Sequence, residues 1–132
     1  MDICAETRYI YFNQSEAIIT SPGYPNSNYP IRKECEKVVQ FEEETLFQIK
    51  FLGDFEIEAS RECKYDFIET RNGDTEDDPL ILKACGDETP QVTTLTGRSL
   101  WIKFKSDISN TFKGFSLKIT KLSQSSQSEG RF

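Results

Sequence analysis

The chain has 132 residues, no histidine, and 16 basic against 22 acidic side chains, for a net charge of −6. That length suits one domain with a buried core, and no run approaches the roughly 18 apolar residues of a membrane helix. Without histidine there is no Ser-His-Asp or Cys-His catalysis and no His-bearing zinc site, phosphate-cradling glycine loops and GxSxG elbows are missing, and the acidic balance argues against nucleic acid or heparin as partner, so an enzyme is not expected.

Taken in chain order, Met1-Asp2-Ile3-Cys4 lacks the basic region and apolar stretch of a secretory leader. A secreted protein is therefore expected to be represented here by a mature or excised piece. Asn13-Gln14-Ser15 is a glycosylation sequon. Ala17–Thr20 and Lys37–Phe41 read as short strands, separated by the turn-rich Ser21-Pro22-Gly23-Tyr24-Pro25-Asn26. A turn is expected over Glu42–Thr45, then a strand in which Phe47, Ile49 and Phe51 share one face. Tyr65–Arg71 and Leu80–Leu82 are further short strands, with turn signals at Asn72-Gly73-Asp74, Gly86-Asp87 and Thr96-Gly97. Leu100–Lys105 and Phe115–Thr120 alternate apolar with polar, as half-buried strands do. Residues 1–121 thus predict one antiparallel β-sandwich domain, and the Ser/Gln-rich 122–132 a linker or terminal tail.

The four cysteines, Cys4, Cys35, Cys63 and Cys85, form no CxxC pair, which removes zinc-ribbon and thioredoxin motifs. Their even number and wide spacing fit two disulfides in an oxidising compartment. Sequential pairing would close loops worth about 3–4 kcal/mol each, and spacing leaves the two other connectivities open.

Several segments resemble the CUB domain family when read together. They are Cys4; Ser21-Pro22-Gly23-Tyr24-Pro25 followed by Asn28-Tyr29-Pro30; Cys35; Phe51 with Phe55-Glu56-Ile57-Glu58; Cys63-Lys64-Tyr65-Asp66-Phe67-Ile68-Glu69; Arg71-Asn72-Gly73; Cys85-Gly86; and Leu100, Ile102 and Phe104 before Ser106-Asp107-Ile108-Ser109 and Gly114-Phe115. The resemblance covers residues 4 to about 121. It implies an all-β, antiparallel, jelly-roll-like sandwich of two sheets, with Cys4 bonded to Cys35 and Cys63 to Cys85. It also implies an extracellular module of a larger secreted or membrane-anchored protein. The sequence departs from the family where Cys-x-Trp-x-Ile is common, since Lys37 and Val39 follow Cys35. Phe41 or Trp101 could fill that part of the core instead.

Residues 54–78 hold ten acids against three basic side chains, a local net of −7. Asp74, Glu76, Asp77 and Asp78 read as a solvated loop. Three other acids match the positions at which many family members hold one calcium ion: Glu58, Asp66 and Asp107. The Ile108 carbonyl is the matching backbone ligand, with Ser109 or Asn110 in support, since Ca²⁺ takes about six to eight oxygens. Family members often steady the glutamate with a tyrosine shortly before the Ser-Pro-x-Tyr-Pro segment. Here Glu16 occupies the position five before Ser21, so that support is expected to be missing.

In family members that bind this way, a partner lysine or arginine meets the exposed edges of the calcium-holding carboxylates. The expected function is therefore calcium-supported, non-catalytic recognition of another extracellular protein through Glu58, Asp66 and Asp107. Trp101 lies out of phase with Leu100 and Ile102 and is a second partner-binding candidate, unless loops cover its sheet face. The alternatives are a regulatory or spacer module without its own calcium-dependent ligand, and a free-standing glycan binder, which the acidic charge disfavours. Lys103, Lys105, Lys113, Lys118 and Lys121 read as wet strand faces.

Overall fold

The computed structural model describes residues 1–122, so the tail expected over 122–132 lies, from Ser123 onward, outside the described residues. Seven strands follow in order: β1 Tyr9–Phe12, β2 Glu16–Thr20, β3 Glu34–Phe51, β4 Phe67–Asn72, β5 Leu80–Ala84, β6 Thr93–Lys105 and β7 Ser116–Lys121. A single 3-10 turn, Arg61–Cys63, precedes β4. Strand order is β2-β7-β3-β6-β4-β5, with β1 added to β3. All pairings are antiparallel except β1 with β3, which is parallel.

β3 organises the sandwich. One of its edges pairs β6 almost throughout, from Glu34 opposite Lys105 to Ile49 opposite Thr93. The other edge carries β1 at Val38–Phe41 and β7 at Phe47–Phe51. Between these halves the register jumps from Gln40–Ser99 to Thr45–Gly97, and this bulge lets the strand change direction. The turn expected at Glu42–Thr45 is thus a bulge inside one 18-residue strand. Thr96-Gly97 likewise lies within β6 rather than ending a strand.

The core follows the alternation. Val39, Phe41, Phe47, Ile49 and Phe51 of β3 face Leu100, Ile102 and Phe104 of β6 and Leu117 and Ile119 of β7 in one buried cluster. Disulfides join Cys4 to Cys35 and Cys63 to Cys85, with Cα separations of 5.0 and 5.6 Å. Lys37, in phase with Val39 and Phe41, is fully buried. Its ammonium donates to the carbonyls of Ala5 and Thr7, so it ties the N-terminal segment to β3.

The opposite sheet face corrects one expectation. Trp101 is only 2% exposed and cannot offer an aromatic contact to a partner. It sits between Val38 and Arg71 across the sheet, and its indole N–H donates to Glu36 Oε2 at 2.7 Å. Charged side chains roof it: Arg8 pairs with Glu36 at 3.0 Å and Arg71 with Glu69 at 2.6 Å. The aliphatic stems of such residues cover apolar surface while their heads stay wet.

Candidate metal centre

Register alone brings two acids to one end of the sheet. Phe67, the first residue of β4, lies opposite Lys105, the last of β6. Asp66 directly precedes one strand and Ser106-Asp107 follow the other. Glu58 arrives from the β3–β4 connection, fixed by two isolated bridges, Glu56 to Gly114 and Ile57 to Gly86, with reciprocal backbone hydrogen bonds of 2.8–2.9 Å. Gly114 has φ of +94°, and a Cβ there would run into the Ser21 side chain, so the close bridge requires glycine.

One carboxylate oxygen from each of Glu58, Asp66 and Asp107 lies within 4.8 Å of the others. Asp66 is completely buried, whereas the other two are half-buried. Asp66 Oδ1 accepts from the Asp107 backbone N–H at 2.8 Å, and its Oδ2 from the Tyr29 hydroxyl at 2.7 Å. The same hydroxyl accepts from the Glu58 N–H at 3.0 Å. Asn110 donates from its side-chain amide to Glu58 Oε2 at 3.0 Å, and the Ser109 N–H to Asp107 Oδ1 at 3.3 Å. Glu58 Oε1 is buried with no hydrogen-bond partner among the described residues.

Tyr29 was missed in the sequence. It comes from the Pro-rich segment, stacks edge-on against Phe104 at 5.0 Å and is 1% exposed. The tyrosine support expected to be absent is therefore supplied from downstream of Ser21, while Glu16 pairs with Lys118 in the sheet. The repeated Tyr-Pro of Tyr24-Pro25 and Tyr29-Pro30 was the available signal. Tyr24 instead reaches the carbonyls of Leu52 and Asp54.

Burial pushes the Asp66 carboxyl up to about 6; the Tyr29 hydroxyl and the Asp107 N–H pull it down, and the Asp107 carboxylate pushes it up again. Burial likewise drives the Tyr29 hydroxyl far up, so it remains a donor. Three converging carboxylates, one with an orphaned buried oxygen, form a hard, all-oxygen donor set that fits a divalent cation of the Ca²⁺ type. Ile108 follows Asp107 with a 69% exposed side chain, and Tyr65, beside Asp66, is 45% exposed.

The remaining sequence features separate. Asp78 accepts from the backbone N–H groups of Asp74 and Thr75 and from the Thr75 hydroxyl, which closes the acidic loop on itself. Lys103, Lys113 and Lys118 pair singly with Glu34, Asp54 and Glu16. Asn13 is exposed just after β1, far along the sheet from the acids.

The family model described as CUB domain matches residues 4–119. Rat neuropilin-2 is 46% identical over 101 residues, covering 76% of this chain and 11% of that protein. The crystal structure of the MASP-1 CUB2 domain bound to Ca²⁺ superposes with a TM-score of 0.72 at 32% identity, over 84% of this chain and 96% of that one. The full extracellular region of zebrafish Gpr126/Adgrg6 gives a TM-score of 0.73 at 29% identity, over 89% of this chain and 15% of that one. The chain thus spans about a tenth of the curated relative's length.

Proposed function

Because the chain belongs to the CUB domain family, we propose that it is a non-catalytic extracellular recognition module whose partner-binding end is organised by one calcium ion. The observation that carries this reading is the convergence of Glu58, Asp66 and Asp107 with Glu58 Oε1 buried and unpaired. Calcium bound there would neutralise the mutual repulsion of the three carboxylates. The Ile108 carbonyl and water are the candidates to complete the shell. Binding of Ca²⁺ by the similar MASP-1 CUB2 domain supports the assignment.

The chain's own residues prepare the site. Tyr29 and the Asp107 N–H hold Asp66 in place, and Asn110 holds Glu58. The edges of Glu58 and Asp107 that stay open to solvent would receive a lysine or arginine of an extracellular protein through charge-assisted hydrogen bonds. Tyr65, Ile31 and Ile108, all exposed and next to Asp66, Arg32 and Asp107 in the chain, supply the apolar area such a contact needs.

Calorimetric titration of Ca²⁺ into chelator-treated protein tests the reading, with Asp107→Ala as control. One ion per chain, lost in the variant, is expected. No heat at millimolar Ca²⁺ from a folded, disulfide-intact sample would remove the metal and favour a spacer module.

A further inference from the structure

At the other end of the sandwich, β1 pairs with β3 alone among the described residues, so its second edge is open. Burial alternates along it. Phe12 turns inward at 6% exposure and packs edge-on against Phe41, whereas Tyr11 is 75% exposed, more than any other large apolar side chain described. Asn13 follows, exposed and without a side-chain hydrogen bond among the described residues. Asn13 is the first residue beyond the strand, two along the chain from Tyr11. Both line the same two depressions, of about 680 and 260 Å³, on either side of β1.

Asn13 opens the sequon Asn13-Gln14-Ser15 in the β1–β2 turn, which is anchored where the Lys121 N–H donates to the Ser15 carbonyl at 2.8 Å. We propose that Asn13 carries an N-linked glycan whose first N-acetylglucosamine packs on the Tyr11 ring and covers the open edge of β1. This inference rests on the extracellular reading above. The glycan comes from a lipid-pyrophosphate-linked oligosaccharide. The Asn13 Nδ2–C1 bond forms as the C1–O bond to pyrophosphate breaks, the pyrophosphate leaves with the electron pair, and Nδ2 loses one proton.

The chemistry of each partner fits. The electron-rich face of a tyrosine ring attracts the C–H face of a pyranose, and its own apolar area leaves water at the same time. An open strand edge invites pairing with another chain, and a bulky hydrophilic group beside it blocks that approach. The glycan also leaves the metal end free. Ser99 lines the larger depression, and Asp107 lies eight residues further along β6 and its exit, about 26 Å at roughly 3.3 Å per residue.

The full chain, directed through the secretory pathway of mammalian cells, provides the test. Digestion with peptide-N-glycosidase should shift its mobility, and the shift should vanish in Asn13→Gln and in Ser15→Ala. Removing the glycan from the folded parent should lower Tm by about 2–4 °C. The same removal from Tyr11→Ser should leave Tm unchanged. A chain exported with both disulfides closed but bare at Asn13 overturns the site and leaves the extracellular reading standing. An equal loss of Tm with and without Tyr11 overturns the packing. Calcium titration of the same samples reads the metal centre separately.

Discussion

The hydroxyl of Tyr29 stands between two groups that the proposed calcium site would need held still. Tyr29→Phe keeps the ring against Phe104 but leaves Asp66 Oδ2 and the Glu58 N–H each short of a partner. Losing such buried bonds costs about 1–3 kcal/mol. Calcium affinity should fall about 10-fold or more, because groups that orient ligands matter nearly as much as the ligands. Calorimetry checks the affinity and urea unfolding the stability. Protons compete for the same oxygens. With Asp66 raised from 3.8 to about 6, the metal-free folded protein holds a proton that the unfolded chain has released over that window. Stability of the metal-free form should therefore fall as pH rises from about 4 to 6, while calcium affinity should rise over the same range. A metal-free stability that climbs across this window would contradict the burial of Asp66. The three acids were legible because each sits in a recognisable segment. Tyr29 was not, because a loop path decides which of two Tyr-Pro tyrosines meets Asp66. Alternation put Trp101 off the core face, but the arginines and glutamates that roof it come from two strands, β3 and β4, and the N-terminal segment.

Among the elements, β3 shows where pattern reading stops. Both halves were predicted as strands, Lys37–Phe41 as a short one and Phe47–Phe51 from its alternation, yet Glu42–Thr45 read as a turn. Glu42, Glu43 and Glu44 are exposed on a bulge, and pairing with β6 resumes beyond them, so tertiary pairing overrides a polar run with weak strand propensity. β1 was not predicted at all, since its four residues gain a partner only through a parallel register with β3. Lys37 belongs to this scale because it joins elements. Together with the Cys4–Cys35 disulfide it fixes the segment before β1 against β3. Burial holds its ammonium below the usual lysine range, eased by Asp2. Lys37→Ala removes a buried stem and the donor to two carbonyls and should destabilise by about 2–4 kcal/mol. Lys37→Met keeps the stem and should cost less than the alanine. Thermal unfolding of the pair checks the order, and a methionine variant as weak as alanine would show that the carbonyl contacts, not the packing, dominate.

At the scale of the whole molecule, charge and chemistry are polarised. Ten of the 22 acids fall in residues 54–78, and the sheet ends Asp66 and Asp107 close that region into one carboxylate cluster. A folded domain carrying −6 that gathers three carboxylates at one end works against itself there, and the proposed doubly charged cation would offset that locally. Ligand that binds only the folded state stabilises by about 2.7 kcal/mol at 100 times Kd, which for this size raises Tm by about 8 °C. The gain should be spatially uneven. Amides that exchange by local opening in the connections bearing Glu58, Asp66 and Asp107, and in the 26–33 segment that delivers Tyr29, should slow most on adding calcium. Those of the β1–β2 turn should keep their rates, because that turn lies at the far end of β2 and β7 from the metal site, with a strand length of paired sheet between them. Hydrogen exchange with and without chelator measures both ends in one experiment. Slowing at the β1–β2 turn equal to that around Asp107 would mean that the ion tightens the whole sandwich, and the division of the molecule into a metal-ordered recognition end and an independent opposite end would have to be given up.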